Sequence, residues 1–522
     1  MDSWNSTPKS WPSAYENLKP FYGDIHNHCG ISYGHGSIED ALENARLQLD
    51  FTSVTGHAHW HDMPPERAET RYFRDYHQKG FDKLKSMWAH VKSVTNTFNK
   101  NGRFATFLSF EWHSSREGDY CVYFKDSKGE IIRAETIEEL RGALRQYRES
   151  GTDVMMIPHH IGYPRGYRGL NWDSFTSEFS PVVELVSMHG CSEYDLAPRP
   201  FLHTMGPRDS GSSLHMGLRK RHIVGVIGST DHHSAHPGSY GYGMTGVWAD
   251  ELSRESIWEA IQSRRVYALT GDKIDLAVEL NGHPMGAVIA PVEERKFNMR
   301  VVGGCAIDYV ELVRNGDPIF RKSAHEIFAS ETDDKFVGII ALRVGWGEPG
   351  TVLSWDIDFG VNNGSIIRYK PRFRGEDIVA PKDEEPDLYQ FSKWEKKGKN
   401  CVCFTTQTRG NPNVRTDGTQ QFALEIEGNA ETEVFAVING RKKTFSVAEL
   451  RQGARSGFVG EFAMRGAYCF EMAIPRERYD WSIRYVDKKI DCETDYYYVR
   501  IRQLNDQWAW SSPFWVGNDQ TS

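Results

Sequence analysis

Of the 20 histidines in this chain of 522 residues, 18 lie between His26 and His236. Packing does not concentrate one residue type so strongly, whereas metal binding and proton transfer can. In Asp24-Ile25-His26-Asn27-His28 two histidines alternate, and alternate residues of a strand share a face. Thr55-Gly56-His57, Glu111 in FATFLSFEW, Pro158-His159-His160, His189 after VVELVSM and Thr230-Asp231-His232-His233 each close an apolar run. Imidazoles and carboxylates gathered at strand ends suit Zn, Mn or Fe better than Ca or Mg. Burying His26, His28, Glu111, Asp231 and His233 on apolar strands would be costly without such a cation.

The elements that must position these groups are legible as alternating strands and helices. Ser37–Leu49 reads as a helix with Ser37 as N-cap and Asp40 at its third position. A long charged helix is predicted from Pro64 to about Asn99. Thr136-x-x-Glu139 opens a helix to about Glu149, and Ser253 caps another to about Arg264. The strands between them are near-continuous apolar runs, which implies an α/β fold with a parallel sheet or barrel under helices. In such barrels the C-terminal strand ends form the face on which sites are built.

After about residue 270 the texture changes to strand-like runs separated by turns, with Asn-Gly at 281–282, 315–316, 363–364 and 439–440. The expected organisation is an extension over 1–20, a metal-binding domain over 21–270 and a β-rich, sandwich-like domain over 271–522, packed together through a fixed interface. Residues 371–400, rich in Pro, Lys, Asp and Glu, read as a solvated excursion.

Composition narrows the classes of function. Lys+Arg 62 against Asp+Glu 71 gives a net charge of −9, so no basic footprint for nucleic acid or anionic lipid is present. No run approaches the ~18 apolar residues of a membrane span, and the first 20 residues lack the apolar segment of a secretory signal. Eight sparse cysteines without a C-x-x-C pair suit a reduced, cytoplasmic protein.

Taken in order, H-x-H, T-x-H, Glu, P-H-H and S-T-D-x-H resemble the PHP superfamily (polymerase and histidinol phosphatase), and within it a branch known only as a domain of unknown function. The resemblance covers roughly residues 20–320. It implies a distorted (β/α)7 barrel with two or three divalent metals, and most characterised PHP proteins hydrolyse phosphate esters. Carried onto this chain, it implies that His26 and His28 bind one metal with Glu111 and Asp231, and that Glu111 bridges to a second. His57 and His233 would bind a third beside His35. The P-H-H motif would supply His159 or His160, and His189 would join them. Two positions depart from the pattern: Gly56 stands where T-D-H has its Asp, and Asp119 stands where relatives often carry His.

His59 and His61 in HAHWHD read as substrate-facing residues able to move a proton, and His113 as similar. Arg165 and Arg168 in YPRGYRG follow His160, where cations could meet a substrate anion. GSYGYG, at 238–243, reads as a flexible active-site loop. These readings converge on a metal-dependent hydrolase of a small anionic substrate, a phosphoesterase first, using metal-activated hydroxide. The alternatives are hydrolysis or elimination at an ester, amide or sugar-derived bond, and a non-catalytic module stabilised by its metals.

Overall fold

The computed structural model describes residues 10–201, 205–326, 335–377, 392–410, 417–459 and 466–517. The first nine residues and positions 378–391 of the expected solvated excursion lie outside them. The chain is mixed α/β, with many strands and few helices.

The first half runs β1 (Lys19–Asp24), α1 (Ile38–Gln48), β2 (Phe51–Thr52), β3 (Gly56–Trp60), α2 (Arg71–Phe98), β4 (Ala105–Thr106), β5 (Leu108–His113), β6 (Tyr120–Phe124), α3 (Ile137–Glu149), β7 (Val154–Pro158), β8 (Val182–Ser187), β9 (Gly190–Cys191), α4 (Leu214–Arg219), β10 (Gly225–Gly228), β11 (Met244–Ala249), α5 (Arg254–Gln262) and β12 (Val266–Leu269). Ser37 caps α1 through a complete capping box with Asp40, as its sequence predicts. The α2 helix begins seven residues later than the two prolines suggested. Thr70 Oγ1 instead holds a turn, donating to the Pro65 carbonyl at 2.7 Å and accepting from the Arg67 N–H at 2.9 Å.

Pairing is only partly parallel. β1–β2–β4, β3–β5 and β8–β10 are parallel, but β5–β6–β7 is antiparallel. The connection from β5 to β6 is far shorter than the dozen or so residues a parallel crossover needs, so the chain turns back as a hairpin. Two predicted strands are also broken, FTSVTGH into β2 and β3 and FATFLSFEW into β4 and β5. Beyond β10 the backbone returns to the end of β1: Asn27 and His232 form a parallel bridge, the Asp231 N–H donates to the His26 carbonyl at 2.8 Å, and the His28 N–H donates to the His232 carbonyl at 2.7 Å.

The sheet continues past residue 270, because β12 pairs antiparallel with Trp508–Ser511. The described residues between 336 and 475 form two facing sheets with their own core, including Leu342, Ile357, Phe359, Phe404, Phe422 and Leu424. Asn281, Asn315, Asn363 and Asn439 all have positive φ; those at 281, 315 and 439 turn between paired antiparallel strands, as Asn-Gly hairpins require, whereas Asn363 links strands of two different sheets. Among the described residues no helix is long and apolar enough to cross a membrane.

Candidate metal centre

Most strands that supply the centre do so near or just beyond their C-terminal ends; His57, the second residue of β3, is the exception. β1 leads to His26 and His28, β3 carries His57, β5 carries Glu111 and His113, β7 leads to His159 and His160, β8 to His189, and β10 to Asp231 and His233. All of these side chains are buried. Asp24, at the end of β1, ties two of these ends together: its carboxylate accepts from the N–H groups of Thr230 at 3.1 Å and Gly238 at 2.8 Å, and from the Thr230 hydroxyl. His160 (φ 34°) and Asp231 (φ 54°) hold left-handed backbone, a conformation costly for side-chain-bearing residues and common at functional sites.

Glu111 sits in the middle. Its Oε2 lies 2.7 Å from His57 Nδ1 and 3.5 Å from His28 Nε2, while Oε1 lies 3.1 Å from His159 Nε2 and 3.2 Å from His113 Nδ1. Despite the short approach to His57, Oε2 lacks the alignment of a hydrogen bond. Asp231 spans the other side, with Oδ1 3.0 Å from His28 Nε2 and 3.3 Å from His26 Nε2, and Oδ2 2.7 Å from His189 Nε2. His28 Nε2 faces His26 Nε2 at 3.2 Å, and His57 Nε2 faces His233 Nε2 at 3.3 Å. Two facing imidazole nitrogens can share at most one proton, so at least one lone pair in each pair is directed inward. That is a donor set for cations.

Ligand atoms of His28, His57 and His233, of His26, His28 and Glu111, of His57, Glu111 and His113, of Glu111, Asp119, His159 and His160, and of His26, Cys121 and His159 each lie within 4.8 Å of one another. Electrostatics follow from the crowding. Burial, with neighbouring imidazoles, holds His57, His159 and His233 well below the ordinary histidine pKa, which favours the neutral form able to bind a metal, whereas at His26 burial is outweighed, by Asp231 first, and the pKa is raised. Burial pushes the Glu111 and Asp231 carboxyls up. The imidazoles around them, His113 first for Glu111 and His26 first for Asp231, outweigh it and hold both well below the carboxylate range.

The other candidates fall in different places. His35 is buried beside His233, donating its N–H to the His233 carbonyl at 2.8 Å, and lies outside the ligand groups. His59 faces Glu135 at 3.3 Å, and His61 stacks on Trp112 at 5.0 Å; neither joins the groups. Arg165 is 58% exposed and pairs with Asp173 at 2.6 Å on the surface. Arg168 instead reaches the centre. The 238–243 segment is packed rather than loose: Tyr240 is buried, with its hydroxyl on Asp272. Gly56 has a steric reason for departing from T-D-H, since a Cβ there would meet Leu84 Cδ1 of α2 at 2.5 Å.

The sequence reading misplaced one residue and missed two. His113 lies within the centre rather than on its rim. Cys121, which was given no role from sequence, faces His26 and His159, with its thiol pushed up to about 12 by burial. Glu184 places Oε2 2.7 Å from His26 Nδ1 and accepts from the His160 N–H at 3.2 Å, so it orients two histidines of the centre. Its signal was available: a lone carboxylate inside the apolar strand VVELVS.

Comparison with known proteins finds distant similarities. Residues 38–174 and 238–279 match the family described as Protein of unknown function (DUF3604), a match that leaves His26, His28, Asp231 and His233 outside it. An uncharacterized protein of Chlamydia pneumoniae is 24% identical over 48% of this chain and 45% of its own length. Another, of Chlamydia muridarum, is 25% identical over 48% of this chain and 44% of its own. The chain therefore spans about half the length of the curated relatives it matches. A solved structure from Bacteroides vulgatus, described as a two-domain protein containing a predicted PHP-like metal-dependent phosphoesterase, covers 85% of this chain and 99% of its own at 13% identity. Its TM-score of 0.29 is too low to establish a common fold.

Proposed function

We propose that the chain is a metal-dependent hydrolase of a small anionic substrate, with a phosphoric ester as the first expectation. The observation that carries this reading is the pair of inward-facing nitrogen contacts, His26–His28 and His57–His233, set against the carboxylates of Glu111 and Asp231. We read the ring of strand ends as a distorted PHP-type barrel over 21–270, with the β-rich remainder packed beside it. His26, His28, Glu111, Asp231 and His189 would hold one divalent ion, and His57, His233 and Glu111 a second. Zn, Mn and Fe suit this set of nitrogens and carboxylates. Bound there, such ions supply Lewis acidity towards a phosphoryl oxygen and bring the pKa of water towards neutrality.

The protein's own contributions are orientation and proton handling. Glu184 fixes the ring of His26, and Tyr163 meets His189 Nδ1 through its hydroxyl at 2.9 Å. His59 is the proton-transfer candidate of the two outer histidines. Burial pushes its pKa down, and a nearby anion would raise it again, so arrival of the substrate favours its protonated form. His61, stacked under Trp112, and Arg165, held by Asp173, receive no step in this scheme.

The test is elemental analysis of gently purified protein followed by a screen of phosphomonoesters, phosphodiesters, carboxylic esters and lactones with added Mn²⁺ or Zn²⁺. Turnover of a phosphoester that disappears with chelator supports the reading. Less than one equivalent of metal after reconstitution, with no turnover of any class, would remove it.

A further inference from the structure

One corner of the centre already contains a cation. Arg168 follows β7 on a loop held by its own N–H, which donates to the Ser115 carbonyl at 3.0 Å, and its backbone is left-handed with φ 70°. The side chain turns inward and is only 16% exposed. Nε donates to Asp119 Oδ2 at 2.6 Å, and Nη2 meets the same oxygen. Nη2 also lies 2.9 Å from His113 Nδ1 and 3.8 Å from Glu111 Oε1, while the Trp60 ring covers the guanidinium at 4.8 Å.

The partners of this arginine are the atoms a further ion would need. The group formed by Glu111, Asp119, His159 and His160 depends on two carboxylates, and both face the guanidinium. Asp119 is fully buried, and its other oxygen accepts from the Ser114 N–H at 3.0 Å. Burial opposes charge on Arg168, but Asp119 and Glu111 outweigh it and raise its pKa above the ordinary arginine value. The guanidinium is therefore a permanent charge, and a divalent ion on Asp119 Oδ2 would meet it at contact distance in a buried site.

We propose that Arg168 is a resident cation of the centre: its guanidinium takes the Glu111–Asp119 corner in place of a divalent ion, so the chain holds two ions rather than three. The proposal rests on the reading of the site as a metal centre. It gives Asp119 the task of fixing Arg168 rather than ligating metal. It also leaves one positive charge in the site when the metals are removed.

The measurement is metal stoichiometry of chelator-stripped protein reconstituted with excess Mn²⁺ or Zn²⁺ and desalted, with folding followed by circular dichroism. Wild type is expected to hold two equivalents, and Asp119→Asn also two. Arg168→Met, which frees both carboxylates, is expected to rise to three, while Arg168→Lys, which keeps the charge, stays at two. If Arg168→Met does not fold, wild type and Asp119→Asn decide the question. Three equivalents in wild type, loss of one in Asp119→Asn, or a folded Arg168→Met that stays at two each overturns the proposal and leaves the metal-centre reading standing. Under one equivalent in wild type removes both.

Discussion

At the scale of single residues, the centre is organised by carboxylates that serve different tasks. Glu111 touches imidazoles on both sides, so Glu111→Gln, nearly isosteric but neutral, is expected to lose metal and to reduce turnover at least a hundredfold, on the order of 3 kcal/mol of barrier. Metal analysis and turnover measured together check this, and full occupancy with near-normal rate would show that Glu111 does not hold the ions. Glu184 touches no expected ion but orients His26, so Glu184→Gln should weaken metal affinity by roughly 10–100-fold, read by chelator competition. A third prediction concerns acid. His236 is buried beneath Gly375, and burial lowers its pKa to about 4. An unfolded histidine titrates near ~6.5, so between these values the unfolded chain binds a proton that the fold refuses. Stability must therefore rise with pH across that window and fall on acidification, by about 2 kcal/mol between pH 7 and 5 for this group. Urea midpoints at the two pH values should converge in His236→Gln; an unchanged gap would show that His236 is not responsible.

At the scale of elements, what the sequence reveals is what depends on neighbours along the chain. The Ser37 and Ser253 caps and the three Asn-Gly hairpin turns at 281, 315 and 439 are local hydrogen-bond and backbone preferences, and each falls where its motif stands. The candidate ligands that gather in the centre are legible for the same reason, since a polar residue closing an apolar run marks a change of environment. The reversal at β6 and the breaks at Ser53–Thr55 and Phe107 are not legible in this way. An apolar run reads the same in either direction, and long-range pairing decides it. Glu184 was missed, and His113 left outside the centre, because they meet His26 and His57, which lie 158 and 56 residues away. Gly56 shows how an element can constrain the site from outside. Its missing Cβ lets Leu84 of α2 pack directly on β3, one residue before His57. Gly56→Ala should cost about 1–3 kcal/mol by overpacking. It should also lower metal affinity, because β3 carries His57 with it. A thermal melt paired with metal analysis tests both, and an unshifted melt would mean that α2 yields without strain.

At the scale of the whole molecule, the two halves suggested by composition share structure. Trp508–Ser511 is the neighbour of β12 in the sheet that also contains β11 and β1. Glu193, fully buried in the first half, accepts from the Tyr498 hydroxyl at 2.6 Å, Arg500 Nη1 at 2.9 Å and Trp510 Nε1 at 2.9 Å. Truncation after Thr270 would expose the β12 edge and strip this carboxylate of three donors. An unpaired sheet edge is a template for association, and leaving a buried charge without its partners costs about 3–5 kcal/mol. That cost is a large part of a typical domain's stability of about 5–15 kcal/mol. The residues 336–475 differ, because their two sheets enclose a core of their own. A chain ending at Thr270 is therefore expected to aggregate or to melt without cooperativity. A chain of 335–476 is expected to give a cooperative transition by itself, and size-exclusion chromatography with calorimetry on the two fragments checks both. A monomeric 1–270 fragment that melts cooperatively and retains metal would show that the centre needs nothing from the C-terminal strands.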